Sequence, residues 1–305
     1  MIGRDRALTI GAFLTLAVLA GGCARESERA SDRPAAAAPV ITACVSIPPQ
    51  AFFVERIGGT RVSVEVLVGP GQSPATYEPT PAQMAALDRA DVFFRIGVPF
   101  EDALMDRISA SMPRLNVVDL RKGIELQPIA DHGGDHAHGR EDPHTWLDPA
   151  LAAIQARTIH EELARLDRNA AGTYAANLEA LSSDLEQVQA EVAETLASLQ
   201  GRRMFVFHPA FGYFARAFGL EQVAIEIEGR EPAPRELQQI IEMAKDEDLR
   251  VIFVQPEFSD ASARAIAAEV GAEVVSIDPL ARDYLDNLRE MARAIRDGLT
   301  AHGDQ

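Results

Sequence analysis

The sequence predicts an α/β protein of two lobes, each built on a mostly parallel four-stranded sheet with flanking helices, the lobes joined by one long rigid helix. Three observations predict it. Short apolar runs alternate with helical patterns, an order that calls for parallel sheets. The runs fall into two clusters of four, one on each side of the middle of the chain. Between the clusters, a stretch with no Pro or Gly after Gly172 repeats its apolar residues every three or four positions as far as Gln200. With 305 residues, 47% of them hydrophobic and 25% charged, the chain is long enough to bury large cores and needs no disulfide staples.

Taken in order, the chain opens with Arg4 and Arg6, an apolar run Ala7 to Ala20, and Leu19-Ala-Gly-Gly-Cys23. About 14 apolar residues are too few to cross a bilayer, which takes about 20, and small residues follow them, so residues 1–22 read as an export signal. The stretch resembles a bacterial lipobox, which implies that Cys23 is lipidated and heads the mature chain. The alternative is an ordinary cleaved signal with Cys23 a bystander. Residues 23–39, rich in Ala, Pro, Ser and mixed charge, form a flexible tether.

The N-terminal lobe is assigned to residues 40–168, with strands Ile41 to Ser46, Val62 to Val68, Val92 to Ile96 and Leu115 to Val118. Cys44 lies within the apolar run Ile41 to Ile47 and is expected as a buried, inert thiol. Thr80 before Pro81 marks a helix start by cap and first-turn chemistry. Residues 169–200 form the linking helix, with Leu178, Leu181, Leu185, Val188, Val192, Leu196 and Leu199 on one stripe. About 30 residues at 1.5 Å each reach roughly 45 Å, enough to run past both lobes. The competing reading is a coiled-coil dimerisation helix. The C-terminal lobe, residues 201–305, carries strands Met204 to Phe207, Gln222 to Ile225, Val251 to Val254 and Glu273 to Ile277, a helix Ala210 to Phe218, and another from Ser259 closed by Gly271.

Composition narrows the chemistry. A net charge of −17 argues against nucleic acid, whose binding draws on clustered Lys and Arg. Two cysteines exclude a zinc ribbon or an iron–sulfur cluster, so a metal here must be held by His and carboxylates. Five of the seven histidines are informative. His132, His136 and His138 lie in the glycine-rich run 131–139, a mobile loop able to capture zinc, copper or nickel loosely, or simply a solvated loop. His144 follows in Asp142-Pro-His-Thr-Trp-Leu-Asp-Pro149, held by two prolines; beside a Trp it could equally be a packed histidine. His208 stands at the carboxyl end of a strand, where α/β sheets place ligands, as does Asp278. Glu257 follows a strand too and is expected as a helix cap. His160 and His302 read as ordinary surface residues on helices.

These motifs resemble the zinc-binding solute receptors of bacterial ABC importers, a group that includes manganese receptors and proteins once called adhesins. The resemblance rests on Gly69-Pro-Gly-Gln-Ser-Pro-Ala-Thr-Tyr-Glu-Pro-Thr80, on 142–149, on Phe207-His-Pro-Ala-Phe-Gly-Tyr-Phe214, on Gly229-Arg-Glu-Pro-Ala-Pro234, and on Asp278 with Tyr284 beyond it. It implies a metal in the cleft between the lobes, with His144, His208 and Asp278 as ligands. It also implies capture of Zn2+ as the transported ligand outside the cytoplasm, delivery to a cognate ABC permease and its ATPase, a membrane anchor through Cys23, a monomeric chain and no enzymatic activity. A histidine at 208 favours zinc over manganese. The family's first histidine is replaced here by Ala75, leaving one tetrahedral position for water, for a histidine of the 131–139 loop, or for Glu78. Ala75 keeps open a surface adhesin, or a cleft that takes manganese, iron or a non-metal ligand. A catalytic zinc site shares the ligand composition, but no separate general base of the HExxH kind is recognisable.

Overall fold

The computed structural model describes residues 39–129, 141–226, 234–246, 249–258 and 261–300. The export signal, Cys23, almost all of the tether, the three loop histidines, Ser259 and His302 lie outside them. Ala37–Gln305 forms one compact unit. Among the described residues no helix is long and apolar enough to cross a membrane.

The element order is β1 (Ile41–Val45), α1 (Pro48–Gly58), β2 (Val62–Val66), α2 (Pro81–Asp88), β3 (Val92–Arg95), α3 (Phe100–Ser111), β4 (Asn116–Asp119), α4 (Pro149–Leu166) and the long α5 (Ala171–Leu196). The second half repeats the alternation with β5 (Arg203–Val206), α6 (Gly212–Ala217), β6 (Glu221–Ala224), α7 (Pro234–Asp246), β7 (Val251–Val254), α8 (Ala261–Val270), β8 (Glu273–Ser276) and α9 (Tyr284–Thr300). All eight expected strands are present, most of them a residue or two shorter than or shifted from the apolar run. An apolar run marks what is buried, whereas a strand ends where its ladder ends. Leu67 and Val68, for example, stay buried beyond β2.

The two sheets have the same topology, β2-β1-β3-β4 and β6-β5-β7-β8, and every pairing is parallel. In each, the chain runs outward by one strand and then crosses back, so the order reverses between β1 and β3 and between β5 and β7. A crevice at the carboxyl ends of the strands follows from that reversal. His208 leaves β5 and Glu257 leaves β7, on either side of the second reversal.

Local chemistry sets the helix ends. Thr80 caps α2 in a reciprocal box: Gln83 N donates to Thr80 Oγ1 at 3.3 Å and Thr80 N to Gln83 Oε1 at 3.0 Å. Asp148 caps α4, accepting from Ala150 N at 2.8 Å, with Pro149 at the first helical position. Gly271, at φ +75°, closes α8 as its lack of Cβ allows.

Short 3₁₀ turns at Arg168–Ala170 and Ala197–Leu199 extend α5 at both ends, so together they fill the expected 169–200 span. Its stripe of Leu181, Leu185, Val188, Val192 and Leu196 is buried. The first half of α5 packs on α1 and α4, where Asn177 Nδ2 donates to Ile57 O at 2.9 Å and Arg56 meets Asp184 at 2.5 Å. Its second half meets α9, where Arg289 pairs with Glu191 at 2.6 Å. The apolar stripe therefore faces helices of its own chain rather than a coiled-coil partner. One continuous core runs from the first sheet through α4 and α5 to α6 and α9, and a smaller one lies between the second sheet and α7 and α8.

Two expectations follow. Leu185, 1% exposed in the middle of the spine, should on change to Ala lower the unfolding free energy by about 2–5 kcal/mol, read from a urea titration. Burial pushes the Cys44 thiol up to about 12, so it stays protonated at neutral pH. Iodoacetamide should leave Cys44 unlabelled in the folded chain and alkylate it in urea, as peptide mass mapping would report.

Candidate metal centre

The strap before α4 is built by its own sequence. Pro128 and Glu141 form an isolated antiparallel bridge, and Asp142 N donates to Gln127 O at 2.6 Å, so the two ends of the segment carrying the loop histidines are pinned together. Asp142, 4% exposed, then accepts twice through Oδ1, from His144 N at 2.9 Å and His144 Nδ1 at 2.6 Å. A carboxylate on Nδ1 makes that nitrogen the donor and leaves Nε2 as the lone-pair nitrogen of the neutral ring.

His208 is held from more directions. Gln255, buried at the end of β7, accepts from His208 N at 3.2 Å and donates to His208 O at 2.7 Å. Glu226, just past β6 and 5% exposed, accepts from His208 Nδ1 at 2.5 Å, so here too Nε2 is the free nitrogen. Phe258 stacks on the ring at 4.8 Å and 29°. The two imidazoles lie edge to face, centroids 5.3 Å apart. Burial holds His208 below the ordinary imidazole range, with Glu226 pulling upward and His144 downward. A neutral ring at physiological pH is the state that can donate to a metal.

Hydrogen bonds join the strap to the segment carrying Asp278. Trp146 Nε1 donates to Pro279 O at 2.8 Å, and Tyr284 OH donates to Trp146 O at 2.6 Å. Asp278 Oδ1 accepts from Leu280 N at 2.7 Å, and its carbonyl accepts from Asn287 Nδ2 at 2.7 Å. On the other side Tyr213 OH donates to Asp142 O at 3.3 Å and accepts from Gln127 N at 3.1 Å. Gly212 permits this approach, since a Cβ there would stand 3.0 Å from Asp142 Oδ2.

His144 and His208 are thus brought together. Asp278 is tied to the same joint through Pro279, but among the described residues no group of three or more His, Cys, Asp or Glu is gathered as a finished metal cage. Glu257, expected as a cap, has its carboxyl beside that of Asp278. Burial and that neighbour push it up to about 7, and its buried Oε2 has no hydrogen-bond partner among the described residues. Ala75 is exposed in a turn, its N donating to Ser73 Oγ at 3.2 Å, and Glu78 is exposed on the same loop. That loop is seated by Tyr77, whose ring meets Phe100 at 5.1 Å. His160 is partly buried on α4. Sequence reasoning missed Asp142 and Glu226. The first was readable as an Asp two residues before a pinned His. The second, 18 residues from its partner, left no local signal.

Residues 44–298 match the family profile described as zinc-uptake complex component A, periplasmic. Among curated proteins, the manganese-binding lipoprotein MntA of Halalkalibacterium halodurans is 27% identical over 94% of this chain and 97% of its own length. The high-affinity zinc uptake system protein ZnuA of Paracoccus denitrificans is 28% identical over 87% of this chain and 94% of its own. Among solved structures, a ZnuA crystal structure is 41% identical at TM-score 0.79, covering 85% of this chain and 99% of that one. The laminin-binding protein Lmb of Streptococcus agalactiae, titled a bifunctional protein with adhesin and metal transporting activity, is 26% identical at TM-score 0.74, covering 85% and 99%. Matched over most of its length, with its fold shared and two imidazoles side by side, the chain belongs to the family of periplasmic zinc-uptake components, metal-binding receptors of ABC uptake systems.

Proposed function

We propose that this receptor captures Zn2+ outside the cytoplasm and delivers it to a cognate permease with its own ATPase, with His144, His208 and Asp278 as ligands. The observation that carries the reading is the pair of imidazoles at 5.3 Å, each with Nδ1 on a buried carboxylate and Nε2 left to donate. Two nitrogen donors suit zinc better than they suit manganese. One open position remains beside the three ligands, to be filled by water, by a histidine of the 131–139 loop, or by Glu78. The bridge between Pro128 and Glu141 sets the two ends of that segment next to Asp142, which supports a role for His132, His136 and His138 in initial capture. The lipobox, and the lipoprotein names of relatives such as MntA, support an anchor at Cys23 on the outer face of a bacterial membrane. Residues 40–168 and 201–305 act as the two lobes around the 169–200 helix, in a chain that works as a monomer.

A second reading, a site that takes manganese, is favoured by Ala75 and by the carboxyl pair Asp278 and Glu257, since carboxylates suit harder ions. Isothermal calorimetry separates the two. Zinc should bind one to one and more tightly than manganese, and His144→Ala and His208→Ala should each abolish the tight site; unchanged zinc affinity in both variants would overturn the assignment. Ala75→His should tighten zinc, because it returns an imidazole to the open position. An unaltered dissociation constant would mean that another protein group already fills it.

A further inference from the structure

Both ligand histidines rest on carboxylates, but in different ways. Asp142 comes from the same strap as His144 and also folds the backbone there by accepting His144 N, so removing it would disturb fold and ring together. Glu226 comes from another strand, and its contact with His208 is made by the ring nitrogen, at 2.5 Å. The backbone of His208 is held independently by Gln255, and one ring face by Phe258. Glu226 is therefore placed to act on the electronics and orientation of one ligand without building its loop.

We infer, on the reading of His208 as a metal ligand, that Glu226 is a positioning residue that sets the donor strength of His208 and with it the preference of the site for zinc over manganese. The geometry gives two separable effects. By accepting from Nδ1, Glu226 fixes the tautomer, so that the Nε2 lone pair points away from the carboxylate. As a buried anion, it also pushes electron density through the ring and makes Nε2 a stronger base toward a cation. Donor strength at nitrogen matters most to an ion that bonds well to imidazole, which is zinc. Manganese depends more on carboxylate oxygen and should feel the loss less. With Ala75 in place of an imidazole, two nitrogens rather than three would carry that preference. The quality of each then matters more.

The test uses the 305-residue chain, with Glu226→Gln and Glu226→Ala. The glutamine amide oxygen can still accept from Nδ1–H and keep the ring in place while removing the charge; alanine removes both. Glu226→Gln should weaken zinc by about 10- to 100-fold and manganese by only a few-fold, with the melting temperature of the metal-free chain close to the parent's. Loading with Co2+ adds a signature that a structural role would not move. The visible absorption band should keep its shape in Glu226→Gln and change in Glu226→Ala, where the ring can turn. Should the alanine variant fail to fold, the glutamine variant still decides the matter. Zinc affinity in Glu226→Gln within twofold of the parent would overturn the inference, as would equal losses for zinc and manganese. Failure of the parent chain to bind zinc or manganese at all would instead overturn the metal-receptor reading on which it rests.

Discussion

The joint at Trp146 is the constraint on which the rest depends. Its indole N–H donates to Pro279 O while its carbonyl accepts from Tyr284 OH, and both side chains are nearly inaccessible. A buried indole or phenol must find a partner, and here each finds it on the other segment. The strap with His144 and the turn with Asp278 are therefore tied two residues from His144 and one from Asp278. Tyr284 also packs edge-on against Phe53 of α1 at 4.8 Å, which carries the tie into the core of the first lobe. Losing either hydrogen bond would leave a buried polar group unmet, a penalty of roughly 1–3 kcal/mol, so the two segments are held in register by more than shape.

That joint explains how a long helix and two separate sheets serve one site. α5 sets the lobes side by side, with α1 and α4 on its first half and α9 on its second. Because a helix of this length is stiffer than a loop, the lobes have little freedom to swing apart. The fine placement comes from the joint and from Tyr213, whose hydroxyl bridges Gln127 N and Asp142 O across the lobes. The strand reversal between β5 and β7 brings His208 and Glu257 to the opposing rim. The two rings are thus already oriented, each by its own carboxylate, while Asp278 and Glu257 lie together on the other side.

Much of this was legible in the sequence, and what was not has physical reasons. Eight strands, the helix start at Thr80 and Pro81 and the stripe from Leu178 to Leu199 are local patterns, and local patterns survive into structure. His144 was readable because two prolines pin it, and His208 because it ends an apolar run. Asp278 stands out in the sequence in the same way, as the end of Val274 to Ile277, and the fold ties its segment to the joint through Pro279. Glu257 was misread because its spacing suits a cap, while its environment, a carboxyl neighbour from another strand, depends on tertiary packing. Glu226 was invisible for a similar reason. Only the pairing of β5 with β6 in parallel register puts Val206 beside Ala224, and so places residues 208 and 226 at the same edge.

The gap at Ala75 gains meaning from that arrangement. An exposed alanine in a turn cannot draw a cation, and the loop around it is seated by Tyr77 on Phe100 rather than by the histidine pair. The groups that remain are unequal: two imidazoles, each backed by a buried carboxylate, and Asp278, with the Glu257 carboxyl beside it. Each backing carboxylate is met on the ring side by an Nδ1–H donor, and a buried carboxylate is costly unless it is paired and hydrogen-bonded. A divalent ion on the Nε2 side offsets that cost without touching either carboxylate. On the proposed reading of His144 and His208 as ligands, part of the attraction for a cation would reside behind the two rings, in Asp142 and Glu226.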